Sequence, residues 1–169
     1  MNIHPIFVHF PIALLTVYAF MEILRFKKFT NQPYFFYVKA CFLIAGSLTS
    51  FLALQTGELA EQALGRSNLI ETHSTYADIS SNIFAFLAVI YLISWISKTE
   101  WNTKLQTGKM QSVWIKLVSL VKNIEQSIFP ILLAIIGLIT ITITGALGGA
   151  IVYGPDIDPV VKMIYSLVM

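Results

Sequence analysis

Three histidines stand near the starts of two apolar segments, and they are the side chains whose type and spacing best suit chemistry. His4 and His9 open the first apolar segment, and His73 opens a later one. The positive end of a helix dipole disfavours protonation of an imidazole, so His9 and His73 are expected to stay neutral with a lone pair available. His4 stands before or at the first helical turn, where a histidine is more often an amphipathic anchor at the membrane interface. Because a neutral imidazole is a ligand for haem iron, copper or zinc, the sequence indicates a metal or haem site where the two helix starts meet.

The first hypothesis is a b-type haem held by His9 and His73, which lie at comparable depth in two helices that run in the same direction. Ala13 and Ala77 each follow one of these histidines by one helical turn, and small residues there would leave clearance for a flat macrocycle. Polar or aromatic residues expected near the haem propionates are Arg66, Tyr76 and Tyr153. The function predicted from this pattern is that of a b-type cytochrome-like electron-transfer protein in a membrane.

The composition is that of a membrane protein. Hydrophobic residues make up 56% of the 169 positions and charged residues 12%, whereas a soluble domain carries about 25% charged residues. Four stretches reach the ~20 apolar residues that a helix needs to cross ~30 Å of hydrocarbon. They cover about residues 5–25, 35–57, 73–97 and 128–150. We therefore expect an all-α integral membrane four-helix bundle that forms a single domain over residues 1–169.

The distribution of charge predicts the orientation of this bundle. Nine of the eleven lysines and arginines fall on one side of the predicted spans, and the positive-inside rule assigns that side to the cytoplasm. Both termini and all three histidines then lie on the non-cytoplasmic side of a bacterial cytoplasmic (inner) membrane. Apolar residues recur at helical spacing over residues 110–124, which predicts an amphipathic cytoplasmic helix, either in the headgroup layer or capping the bundle.

Several local patterns refine this arrangement. Asn68 to Glu71 is typical of a capping box that begins the third span. Glu22 and Asp78 are interpreted as snorkelling or hydrogen-bonded carboxylates and not as parts of a proton path. The stretch from Val160 to Met169 is too short to cross a bilayer and is expected at the outer surface. The four spans show no internal repeat and no broken helix at mid-membrane, which argues against a transporter.

Other classes of protein are excluded by what the sequence lacks. Its single cysteine, Cys41, excludes both an internal disulfide and the usual covalent attachment of a c-type haem. The chain contains no phosphate-binding glycine loop, no Gly-x-Ser-x-Gly and no His-Glu-x-x-His. Its net charge of +2 gives no reason to expect nucleic acid as a partner. An electron carrier or binding protein is therefore favoured over a stand-alone enzyme.

Several of these motifs together resemble a known family. His-Pro-x-x-Val-His-Phe-Pro-Ile-Ala-Leu-Leu at His4 to Leu15, Thr56-Gly57, and the run from Thr144 to Gly149 are similar to those of the bacterial membrane family called domain of unknown function 2231. The resemblance implies a four-span bundle with outward-facing histidines, associated in some bacteria with c-type cytochrome modules. The positions that carry over are His4, His9, His73, Gly57, Gly145, Gly148 and Gly149.

Two alternatives to haem stay open at this point. In one, His4, His9 and His73 bind copper or zinc at the outer surface for sensing or delivery. In the other, the chain is a non-catalytic scaffold or assembly subunit whose glycine-rich helix faces pack against another membrane protein. The expected partners are the lipid bilayer, a periplasmic c-type cytochrome or other redox protein, and a further copy of the chain in a homo-oligomer.

Overall fold

The computed structural model describes residues 4–25, 27–107 and 111–169. These residues form eight α-helices and no strand, so the all-α prediction is confirmed. The helices are α1 (His4–Ile23), α2 (Lys27–Thr30), α3 (Phe35–Leu64), α4 (Asn68–Ser97), α5 (Trp101–Gln106), α6 (Gln111–Gln126), α7 (Phe129–Tyr153) and α8 (Pro159–Val168).

Four of these helices, α1, α3, α4 and α7, are long and apolar enough to cross a membrane, as predicted. α3 continues to Leu64, beyond its predicted end, because Glu58 to Leu64 keeps a helix-compatible sequence. α4 begins earlier than predicted, and the capping box expected at Asn68 is wrong by one residue. The N-cap is Ser67, whose hydroxyl accepts a hydrogen bond from the backbone N–H of Ile70 at 3.3 Å.

The four spans pack as an antiparallel bundle. α1 packs against α3 and α7, and α4 packs against the same two helices, so α1 and α4 run in the same direction across the diagonal of the bundle. Their aromatic side chains fill the centre. Tyr18 of α1 makes edge contacts with Phe84 and Tyr91 of α4, with ring centroids 6.1 and 5.9 Å apart, and all three rings are fully buried.

The first hairpin, α1 with α3, is held together at two glycines eleven residues apart. A Cβ atom on Gly46 would lie 2.6 Å from Leu15, and one on Gly57 would lie 3.2 Å from the ring of His4. The contacting residues, His4 and Leu15, are themselves eleven residues apart. Three residues after Gly46, the Thr49 hydroxyl donates back to the Gly46 carbonyl at 3.0 Å.

The second hairpin, α4 with α7, repeats this arrangement at equivalent positions. A Cβ atom on Gly137 would lie 2.7 Å from Phe84, and one on Gly148 would lie 3.2 Å from the ring of His73. These two glycines are again eleven residues apart, as are His73 and Phe84. The Thr140 hydroxyl donates to the Gly137 carbonyl at 3.0 Å.

The bundle is therefore an internal repeat of two helical hairpins, which corrects the expectation that the spans contain none. Each half carries a histidine at the start of its first helix and the pattern Gly-x-x-Thr-x₇-Gly in its second. Since both first helices run in the same direction, the halves are related by an approximate two-fold axis along the bundle, as in parallel-repeat membrane proteins. One argument against a transporter is removed, while the four spans remain unbroken helices.

The remaining helices lie at the two ends of the bundle. The histidine end is the end that carries His4 and His73, and α8 packs there against α7. The charged end is the opposite one, defined by Glu22, Arg25 and Lys39, and there α6 packs against α4, α5 and α7. The predicted amphipathic helix at 110–124 is confirmed as α6, although its expected first residue, Met110, lies outside the described residues.

Candidate functional site

His4 is the first residue of α1, and its ring is fixed by α3. The Nδ1 atom lies 3.1 Å from the hydroxyl oxygen of Thr56. That hydroxyl uses its hydrogen toward the backbone carbonyls of Leu52 and Ala53, at 3.1 and 3.0 Å. With its hydrogen directed there, the hydroxyl accepts from His4, and Nδ1 is then the protonated nitrogen of the neutral ring.

His73 lies in the second turn of α4, and its ring is fixed in the same way by α7. Its Nδ1 atom lies 3.0 Å from the backbone carbonyl oxygen of Thr144. A carbonyl can only accept a hydrogen bond, so Nδ1 of the neutral ring is again the protonated nitrogen. Both histidines are thus held through Nδ1 by an oxygen atom of the neighbouring helix.

Glycines make room for both rings. The Cε1 atom of His4 would be 3.2 Å from a Cβ atom on Gly57, and the Cε1 atom of His73 would be 3.2 Å from one on Gly148. Such a distance is tight for a carbon contact, so each imidazole lies directly against the neighbouring helix. The hydrogen bond and the glycine contact together restrict each ring to one orientation.

The two histidines lie at the same end of the bundle. They occupy equivalent positions of the repeat on the diagonal helices α1 and α4. At the charged end, the equivalent positions Glu22 and Tyr91 meet across the same axis in a 2.6 Å hydrogen bond. Both histidines are half-buried.

The environment of His4 favours its neutral form. His4 precedes the apolar window Ile6–Ile23 that is long enough to cross a membrane. Burial lowers the pKa of its imidazole below the usual value, although a hydrogen bond to the backbone of Ala53 acts in the opposite direction. The neutral imidazole is the form of histidine that binds metals.

His9, the other histidine of α1, is not brought to this site. It follows His4 by five residues, which turns its side chain about 140° around the helix, and it is exposed on the side of α1 that also carries Ala13. Its equivalent in the second hairpin is Asp78, which is exposed too. Among the described residues, no group of three or more His, Cys, Asp or Glu side chains could hold a metal ion.

Of the other predicted site residues, some are half-buried beside His73 and others are exposed at the surface. Ala77 lies one turn beyond His73 and is half-buried, as is Tyr76. Arg66 is at the surface, with its side chain 94% exposed and its guanidinium 4.0 Å from the carboxylate of Glu61. Tyr153 is 72% exposed. Ala77 and Tyr76 thus accompany His73 into the bundle, whereas Arg66 and Tyr153 face outward.

A second polar cluster, at the charged end, was not predicted from the sequence. Glu22 is completely buried, and its carboxylate is shared by three partners. It bonds to Arg25 through Oε1, and through Oε2 to Lys39 Nζ and the Tyr91 hydroxyl, both at 2.6 Å. Glu22 is therefore hydrogen-bonded as expected, and it does not snorkel.

The same end is extended by a link between α4 and α6. Ser94 donates a hydrogen bond to the carboxylate of Glu125 at 2.6 Å, and Lys98 lies 3.6 Å from the same carboxylate. The ammonium of Lys98 also stands 3.2 Å above the ring of Phe36. These contacts hold α6 against the bundle. They also give Lys98 and Glu125 a partner each, as is usual for ionisable residues in membrane proteins.

Comparison with known proteins gives one match. Residues 1–158 match the family described as "Predicted membrane protein (DUF2231)". No curated protein and no solved structure matches the chain.

Proposed function

This chain belongs to the DUF2231 family of predicted membrane proteins, and we propose that it is a b-type cytochrome-like electron carrier that binds haem through His4 and His73. The observation that carries the proposal is the matching anchorage of the two imidazoles, since each is held through Nδ1 by an oxygen atom of the neighbouring helix, as metal-binding histidines usually are. The proposal replaces His9, the ligand expected from the sequence, by His4, because His9 points away from the axis of the bundle.

The surroundings of the two rings are those of metal-binding histidines. A ligating histidine usually donates its second ring N–H to a carbonyl or another oxygen acceptor, which fixes the tautomer and makes the ligand more basic. The Thr144 carbonyl and the Thr56 hydroxyl take that role here. His4 and His73, from two helices of the bundle, would hold a b-type haem, and the haem would supply one-electron redox chemistry when bound.

The side of the membrane on which electrons would be exchanged follows from the proposed orientation. The positive-inside rule favours the charged end in the cytoplasm and the histidine end outside a bacterial inner membrane. The partner would then dock on the outer side, and it would be a periplasmic c-type cytochrome or another redox protein. Acidic residues at the histidine end, Glu58, Glu61 and Glu71, favour a partner that presents a basic surface.

The proposal is tested by the haem content and the reduced-minus-oxidised visible spectrum of protein purified from cells supplied with haem precursor. We expect about one haem per chain, with the sharp bands of low-spin haem. His73→Ala should abolish or strongly reduce binding, because it removes one axial ligand. The matched control is His9→Ala, which removes the same type of side chain from α1 and should leave the spectrum unchanged. A haem-free wild type in well-folded, haem-supplied preparations would overturn the proposal.

A second candidate function uses the same donor pair. Imidazole nitrogens also suit copper and zinc, so the two Nε2 atoms are compatible with a metal ion that completes its coordination with ligands from outside the chain. The three-histidine site predicted from the sequence would need His9 to join them. Metal analysis of untagged protein separates the two functions, because about one bound ion per chain without haem would favour the metal site. The scaffold role and a homo-oligomer stay predictions.

A further inference from the structure

Helix α8 begins with a well-formed cap and packs one side on the bundle. The carboxylate of Asp158 accepts hydrogen bonds from the backbone N–H groups of Val160 and Val161, at 2.8 and 2.9 Å. Val161 and Ile164 are each 8% exposed. A Cβ atom on Gly149 of α7 would lie 3.6 Å from Val161. The first sector of α8 is therefore apolar and covered by α7.

A second sector of α8 is equally apolar but has no protein against it. Val160, Met163 and Leu167 follow the spacing of one helix face, and they are 56%, 56% and 77% exposed. Exposing such a row of side chains to water is unfavourable, because burying apolar area stabilises by about 25 cal/mol per Å².

The third sector of α8 is polar. Lys162 and Ser166 lie one turn apart, on the flank of Met163 that is farther from Val160 and Leu167. The ammonium of Lys162 is paired with the carboxylate of Asp156 at 2.8 Å. The pairing raises the pKa of Lys162, mainly through this hydrogen bond, so the charge is permanent at neutral pH. Around its circumference α8 thus presents one face to protein, one apolar face and one face to water.

We propose that the exposed apolar sector of α8 is seated in the lipid interface at the histidine end of the bundle. The occupant is lipid because α8 packs on α7, a helix long and apolar enough to cross a membrane, whose last residues Val152 and Tyr153 are 62% and 72% exposed. A helix of ten residues is about 15 Å long and cannot cross ~30 Å of hydrocarbon. A short helix with one apolar and one charged face lies in the plane of the interface.

The end of the seated helix would form one wall of a cleft at the start of α4. Val168, the last residue of α8, and Met169 after it line this surface cleft of about 370 Å³ together with Asn68, Thr72 and Thr75 of α4. Lipid contact on the opposite side of α8 would hold this wall in place. The inference does not depend on whether haem is bound.

The test is site-directed spin labelling of the full chain in lipid nanodiscs of zwitterionic phospholipid, in a Cys41→Ser background. Labels are placed one at a time at Met163 and Leu167 in the apolar sector, with Lys162 and Ser166 as matched controls on the same helix. Collision rates are measured with oxygen, which concentrates in lipid, and with a water-soluble nickel chelate. We expect a several-fold higher oxygen-to-nickel ratio at Met163 and Leu167 than at the two controls.

Two results would overturn the proposal. Equal ratios at all four positions would mean that α8 stands in water. Nickel protection accompanied by spin–spin broadening at Met163 or Leu167 would mean that a second copy of the chain, and not lipid, covers the sector. Circular dichroism identifies any labelled variant that does not fold, and Val160, which belongs to the same sector, then takes the place of that position.

Discussion

Glu22→Gln removes the carboxylate that Lys39 and Arg25 share at the charged end. The side chain of Lys39 is only 10% exposed, and its ammonium is 2.6 Å from Glu22 Oε2. Its other close neighbours are aromatic, with the ring centroids of Tyr91 and Phe35 at 4.9 and 5.8 Å. Removing one partner of a buried ion pair leaves an uncompensated charge, which costs about 3–5 kcal/mol. We expect Glu22→Gln to lower the free energy of unfolding by that amount.

The reverse substitution should cost less. Lys39→Met leaves the carboxylate of Glu22 with two partners, Arg25 and the Tyr91 hydroxyl, so the loss is that of one charged hydrogen bond, about 1.5–3 kcal/mol. The double variant Glu22→Gln/Lys39→Met buries no unpaired lysine. It should therefore be more stable than Glu22→Gln alone, so that the effects of the two substitutions are not additive.

The assay is denaturant unfolding of the detergent-solubilised protein, followed by circular dichroism. Asp78→Asn is the matched control, because Asp78 is an exposed carboxyl group on α4 and its replacement should change stability by less than about 0.5 kcal/mol. A Glu22→Gln variant as stable as Asp78→Asn would refute the reasoning, since it would mean that Lys39 does not need a buried counter-charge.

Three further outcomes are expected. Gly137→Ala would place a methyl group 2.7 Å from Phe84 and should lower the unfolding free energy by about 1–3 kcal/mol; the control Gly145→Ala, with nothing within 4 Å, should not. Asp158→Ala removes the cap of α8, and local stability should fall by about 1 kcal/mol, seen as faster amide exchange confined to that helix. Burial lowers the pKa of His4 in the folded protein, so His4 takes up a proton in the unfolded chain first as the pH falls. The free energy of unfolding should therefore decrease below about pH 6.5. In unfolding measured across that range, His4→Gln should flatten the dependence, and an unchanged slope would contradict the assignment.

Length and hydropathy alone predict the four spans, because crossing hydrocarbon requires a long apolar helix whatever its neighbours are. The rotation of each helix is not predictable in this way. In a soluble protein the apolar stripe marks the core face, but a helix in lipid is apolar all round. The depth of each histidine in the membrane therefore favoured His9 as the ligand. The rotation of α1 about its axis instead places His4 on the buried side of the helix, in the row with Leu15, Tyr18 and Glu22.

The internal repeat was missed for a related reason. In the core, equivalent positions of the two halves carry different apolar side chains, such as Leu15 in one and Phe84 in the other. Each of these side chains packs on a glycine, and this contact does not require the two residues to be identical. The Glu22 cluster depends on the same unknown rotation. The sequence places an acid near the end of one span and Lys39 near the start of the next, but their contact becomes visible only when both helices are oriented.

The most direct measurement of the central claim is the near-infrared magnetic circular dichroism of the oxidised, haem-loaded protein, because its charge-transfer band identifies the axial ligands of low-spin haem. We predict the band of two imidazole ligands in the wild type and in His9→Ala, and the loss of that band in His4→Ala. If His4→Ala kept the band of two imidazoles while His9→Ala lost it, the pairing of His4 with His73 would be contradicted.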